Sequence, residues 1–132
     1  MDEDFDSPSR SITALSYLGA VRSMKGYNVM GPAKASLESI IRGLAAEVAP
    51  TVRVNAVSAG PMSTLSARGG IADFDQLRQE VEQRAPLGSI SADQVATAIH
   101  FLSSDDASGI TGQTIYVDGG YSVVGGPPLR EI

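Results

Sequence analysis

Tyr27 and Lys34 stand seven residues apart in a stretch patterned as a helix. Seven residues is close to two helical turns, so both side chains project from nearly the same face. A phenol titrates near 10, stays protonated at neutral pH and can donate to a developing oxyanion. A cation beside it favours its ionisation. The face that carries the pair is turned by roughly a third of a turn from the apolar stripe, so it can look into a cleft while the stripe packs elsewhere. Gly31 and Ala35 lie on or near that face and would let a flat ligand approach closely. A Tyr/Lys pair at this spacing is also what the wet side of an ordinary helix looks like, so the elements around it must decide.

Those elements alternate. Ser11 to Ser16 reads as a strand, followed by a polar, glycine-containing segment from Tyr17 to Gly26. A helix is expected from about Asn28 to Val48, with Ala33, Leu37, Ile40, Ile41, Leu44 and Val48 as its apolar stripe. Pro32 is tolerated only in a first turn, so the regular helix should begin within a few residues before it. Val52 to Ser58 is rich in β-branched residues and is broken by Ala59-Gly60-Pro61. A polar helix is expected over Phe74 to Arg84 and another over Ala92 to Ser103, with Ser91 as its N-cap. Gln113 to Asp118 reads as a final strand stopped by Gly119-Gly120. Strands alternating with long helices imply parallel crossovers, and the expected fold is α/β, about three parallel strands with flanking helices. Ligands of such sheets bind beyond the carboxyl ends of the strands, here Ser16-Tyr17, Ser58 to Thr64 and Asp118 to Tyr121.

Composition narrows the function. Of the 132 residues 42% are hydrophobic, enough for one packed core. The net charge is -5 and the ten basic residues are scattered, which argues against a nucleic-acid partner. With no cysteine and one histidine, thiolate or histidine-cluster metal sites are not expected. His100 sits in the run Ile99-His100-Phe101-Leu102 and is expected to pack in a helix. No apolar run reaches the length of a membrane span, and none follows Met1 as a secretory signal would require, so a cytoplasmic chain is expected. Residues 1–10 form an acidic tail, residues 11–124 the folded unit, and residues 125–132 a loose second tail.

The run Leu15-Ser16-Tyr17-Leu18-Gly19-Ala20, then Tyr27-Asn28-Val29-Met30-Gly31 and Ala33-Lys34-Ala35-Ser36-Leu37-Glu38, resembles the NADH-dependent enoyl-acyl-carrier-protein reductases of the short-chain dehydrogenase/reductase superfamily. Typical superfamily members place tyrosine and lysine four apart. Here the residue four before Lys34 is Met30, which has no proton to give, and the six-residue gap is the enoyl-reductase variant. The resemblance continues in Val52 to Pro61, Thr64-Leu65, Gly109 to Gly112 and Val117 to Gly120. It implies the C-terminal half of a Rossmann-type doubly wound parallel sheet. It also implies reduction of trans-2-enoyl-acyl-carrier-protein to acyl-acyl-carrier-protein in fatty acid synthesis.

The same resemblance implies residue roles. Tyr27 would donate to the thioester carbonyl as it becomes an enolate, Lys34 would bind the nicotinamide ribose, and Tyr17 would contact the acyl substrate. Met62, Ser63, Thr64, Leu65 and Ser66 would lie along the nicotinamide, while Met30, Ile71 and Phe74 would line the acyl pocket. A tetrameric homo-oligomer is implied as well. Each role has a plainer rival: Tyr17 can simply end a strand, Ser63 and Thr64 can form a turn, and Phe74 can be helix packing.

The chain departs from the pattern in one large way. No Gly-x-Gly-x-x-Gly precedes the Tyr27 helix, so the front half that holds the pyrophosphate is expected to be absent, and with it most of the NADH surface. The first strand then becomes an exposed edge. Pro32 and Ser63 are milder departures. A non-catalytic oligomerisation module of the same fold, or another reductase of the superfamily, stays open as an alternative.

Overall fold

In a computed structural model, which describes residues 10–62 and 73–130, three strands form one parallel sheet in the order β1-β2-β3. They are β1 (Arg10–Ser16), β2 (Val52–Ala59) and β3 (Thr114–Val117). The helices are α1 (Met30–Val48), α2 (Phe74–Arg84) and α3 (Ala92–Ser103). All three strands and all three helices fall where the sequence places them. Helix α1 starts at Met30, two residues later than expected, which leaves Pro32 in the first turn where its missing N–H costs nothing.

The central strand β2 is buried along nearly its whole length because both of its faces are covered. Side chains alternate across a strand, so its two faces build two cores. Val54 and Ala56 pack with Ile41 and Ala45 of α1. Val57 and Ala59 pack with Val95 and Leu102 of α3 and with Ala107. Helices on opposite faces of a parallel sheet are the α/β arrangement the alternation predicts. β1 pairs with β2 alone, from Arg10↔Val52 to Ser16↔Ser58, so its other side is an open edge among the described residues. Helix α3 carries a full capping box: Ser91 Oγ accepts from Gln94 N–H and the Gln94 side chain accepts from Ser91 N–H. No helix among the described residues is long and apolar enough to cross a membrane.

Three local expectations differ from the structure. Of the expected α1 stripe, Ile41, Leu44 and Val48 do pack against the sheet, but Ala33 and Ile40 (57%) are exposed, and Gly31, Glu38 and Ala45 are buried instead. Glu38 is accommodated by Ser16 Oγ, which donates to its Oε1 at 2.9 Å. His100 is exposed in the last turn of α3 while Leu102 takes the core position. Of the 125–132 segment expected to be loose, Leu129 and Arg130 are tied down by hydrogen bonds to Gln83.

Candidate active site

Where β1 ends, the chain turns through a short helical turn at Leu18–Ala20 before reaching α1. This turn places Tyr17 and Tyr27 side by side. Their ring centroids lie 4.9 Å apart at 78°, an edge-to-face contact that suits the ring quadrupoles. Both are 9% exposed, and with Leu18 they make a small apolar cluster against which Met24, Leu77 and Tyr121 pack. Two glycines make this closeness achievable. A Cβ on Gly19 would fall 2.3 Å from the Tyr27 ring, and one on Gly31 would fall 2.9 Å from the Gly19 carbonyl oxygen.

Lys34 sits one turn further into α1 and donates from Nζ to the Leu15 carbonyl at 2.9 Å. An ammonium has three donors, so this bond fixes the side chain on the β1 end and leaves capacity for another ligand. Burial raises the Tyr27 phenol above its ordinary value. The phenol therefore stays a donor at neutral pH. Tyr17 is raised further, by burial first and then by Tyr121, Tyr27 and the Glu80 carboxylate.

The two phenols open on a cavity of about 140 Å³ lined by Tyr17, Met24, Lys25, Tyr27 and, from the α2 side, Asp73, Gln76, Leu77 and Glu80. Its character is mixed, apolar along Met24 and Leu77 and polar at the rim. A small acyl group held with its carbonyl toward a phenol fits such a surface.

The sequence-predicted residues divide into three groups. Tyr17, Tyr27 and Lys34 come together at the β1 end. Phe74 is 7% exposed at the start of α2, Met30 is 42% exposed at the start of α1, and Met62 packs on the α3 side of the sheet. None of these last three lines the cavity. Ser63, Thr64, Leu65, Ser66 and Ile71 lie outside the described residues. Leu77, Glu80 and Tyr121 were not singled out from the sequence. Phe74, Leu77 and Val81 at i, i+3 and i+7 were the available signal that α2 turns an apolar edge inward.

The end of β3 completes the rim. Asp118 accepts from Gly120 N–H at 2.9 Å and Ser122 N–H at 3.0 Å, and Gly119 and Gly120 both take positive φ. The Val-Asp-Gly-Gly run is therefore a turn that sets Tyr121 against the tyrosine cluster.

A family model described as enoyl-(acyl carrier protein) reductase matches residues 5–122. The enoyl-acyl-carrier-protein reductase (NADH) of Nostoc sp. is 53% identical over 119 residues, 87% of this chain and 45% of that protein. The corresponding protein of Bacillus cereus is 48% identical over 117 residues, again 87% and 45%. A crystal structure of the Bacillus cereus reductase with NADP+ and indole naphthyridinone superposes with a TM-score of 0.84 and 47% identity, over 88% of this chain and 46% of that one. The chain thus spans about 45% of the length of the curated relatives it matches.

Proposed function

The chain belongs to the enoyl-(acyl carrier protein) reductase family, and from that membership we propose that it supplies the tyrosine–lysine half of an enzyme reducing trans-2-enoyl-acyl-carrier-protein thioesters to acyl thioesters. The observation that carries the reading is the buried Tyr17–Tyr27 pair facing a cavity, with Lys34 locked to the β1 end beside it.

The described donor set fits the nicotinamide-ribose end of a dinucleotide. Lys34 has spare N–H donors for a ribose diol, and Gly60, Pro61 and Met62 leave β2 on the same rim. Bound there, a reduced nicotinamide would supply hydride for the β-carbon of the enoyl thioester. Tyr27 then donates a hydrogen bond to the thioester oxygen as negative charge collects on it. A phenol kept protonated by burial is suited to this, because a donor that ionised in the resting state would repel the enolate. Tyr17, more strongly desolvated and packed edge-on against Tyr27, holds that ring in place and walls the acyl group. Leu77 and Met24 exclude water from the acyl side. A proton from solvent to the α-carbon completes the reduction.

Met62 to Ser66 along the nicotinamide, and Met30, Ile71 and Phe74 toward the acyl chain, belong to this reading on family grounds. NADH is favoured because the Nostoc and Bacillus cereus relatives are NADH reductases, while the Bacillus cereus structure carries NADP+. A homo-tetramer acting in the cytoplasm belongs to it too; the oligomer is supported by the exposed apolar Val29, just before α1, and Ile40 on α1.

The test follows NADH oxidation with a trans-2-octenoyl-N-acetylcysteamine thioester. The chain is assayed alone and mixed with the front portion of the Bacillus cereus relative. Turnover that Tyr27→Phe removes is the expected result. A folded mixture with no turnover would overturn the reading in favour of a non-catalytic assembly module.

A further inference from the structure

An α-helix leaves its last four carbonyls without partners inside the helix. In α2 these belong to Val81, Glu82, Gln83 and Arg84. Val81 O is taken by Ala85 N–H at 2.8 Å as the helix closes. The next two are taken by residues from the far end of the chain. Glu82 O accepts from Arg130 Nη1 at 2.7 Å, and Gln83 O accepts from Leu129 N–H at 3.0 Å and Arg130 N–H at 3.2 Å. The same guanidinium continues past the helix, with Nη1 donating to Ala85 O at 2.9 Å and Nη2 to Pro86 O at 3.0 Å. A planar cation with fixed donors can reach three carbonyls at once, and its charge sits at the negative end of the helix dipole.

Among the described residues α2 has few other ties: Leu77 packs on the tyrosine cluster and Glu82 Oε2 accepts from Ser89 N–H at 2.8 Å. Of its eleven residues only Phe74 and Val81 are buried, and its N-terminal residue Asp73 makes no capping hydrogen bond and takes positive φ. Yet this helix and its cap supply Asp73, Gln76, Leu77 and Glu80, the wall of the cavity opposite Tyr17 and Tyr27. A thinly anchored helix forms one side of the site, and its best-tied end is tied by the tail.

We infer that Leu129-Arg130 is a clip, and that Arg130 is a positioning residue holding α2 at the separation from the tyrosine pair that the acyl group requires. The ligand's identity rests on the proposed function above. Arg130 touches neither the cavity lining nor the tyrosines, so it acts through the α2 backbone.

The experiment is hydrogen–deuterium exchange on the full chain, with and without the octenoyl thioester, for the wild type, Arg130→Ala and Arg130→Lys. In Arg130→Ala, exchange at the α2 amides of residues 77–84 should rise on the order of tenfold while that of β2 stays put. The thioester concentration giving half-maximal protection of α2 should rise several-fold. Arg130→Lys should recover part of both effects, because it restores the charge without the fork. Unchanged α2 exchange would overturn the clip, and so would a loss spread equally into β2. Faster α2 exchange with an unshifted thioester midpoint would overturn its role in substrate positioning. Wild-type chain that shows no thioester protection, alone or mixed with the front portion of the Bacillus cereus relative, would instead count against the enoyl-reductase reading, and the two failures are thereby told apart.

Discussion

Two polar regions of this molecule are built on opposite plans. Along the seam between β2 and residues 110–113, polar groups find their partners within the fold. Asn55, fully buried, donates from Nδ2 to Ile110 O at 2.9 Å and accepts from Gln113 N–H at 3.0 Å. Val54 N–H donates to Thr111 Oγ1 and Gly112 N–H to Val54 O, while the Arg53 guanidinium reaches the carbonyls of Ile110 and Ser104. At the rim, the Tyr17 and Tyr27 hydroxyls make no hydrogen bond among the described residues, and their rings are placed by packing alone. The polar groups of the seam are satisfied within the fold. Those left open, beside a cavity and on well-fixed rings, are available to something else.

If that contrast is right, damage to the two regions should separate activity from stability. The largest effect expected is at the rim. Tyr27→Phe removes one hydroxyl and should lower turnover in the completed enzyme about 10²-fold or more, with an unfolding midpoint close to wild type. A turnover within about threefold of wild type would break the contrast. Next comes the seam: Asn55→Ala leaves the Gln113 N–H without its partner and the Ile110 carbonyl with only the longer Arg53 bond, and should cost about 2 kcal/mol in urea unfolding. Asn55 stands on the α3 side of the sheet, so kinetics of the remaining folded enzyme should hardly move.

Gly19→Ala sharpens the comparison from the other direction. The new methyl meets the Tyr27 ring, so the ring must swing, and kcat/KM should fall on the order of tenfold for a stability loss near 1 kcal/mol. The smallest effect is in pH. Tyr17, Tyr27 and Tyr121 are all raised above 10.0, chiefly by burial. Each binds its proton more tightly folded than unfolded, so their contribution is whole below pH 10 and is lost as pH climbs through the raised values. Urea midpoints should therefore fall above pH 10, and less steeply in Tyr27→Phe.

Much of this was legible in the residues. The bounds of α2 and α3 follow from periodicity and from Ser91 with Gln94 three residues on, which are local signals. The Tyr27–Lys34 spacing and the alternation of strands and helices locate the rim from sequence alone. Glu38 was not legible, because its burial depends on a hydroxyl 22 residues earlier on another element. Periodicity counts apolar side chains and so aimed the α1 stripe at Ile40. The part played by Arg130 was hidden for the same reason. A C-terminal residue that closes a helix more than forty residues upstream has no signature in its own neighbourhood. His100 misled in a simpler way, since an apolar run in a helix need not be buried at every position.

The parallel sheet also sets an order in time. Tyr17 and Tyr27 are ten residues apart, and α1 can form from local contacts. By contrast, the seam that gives β2 its second neighbour joins residues 55 and 58 apart. Closing loops of that length is what slows parallel sheets, so amide protection in β2 should arrive with residues 110–117 and after that of α1. On a ribosome the tyrosine pair would emerge early and wait, unsupported from below, until residues 110–113 had been made and had left the exit tunnel.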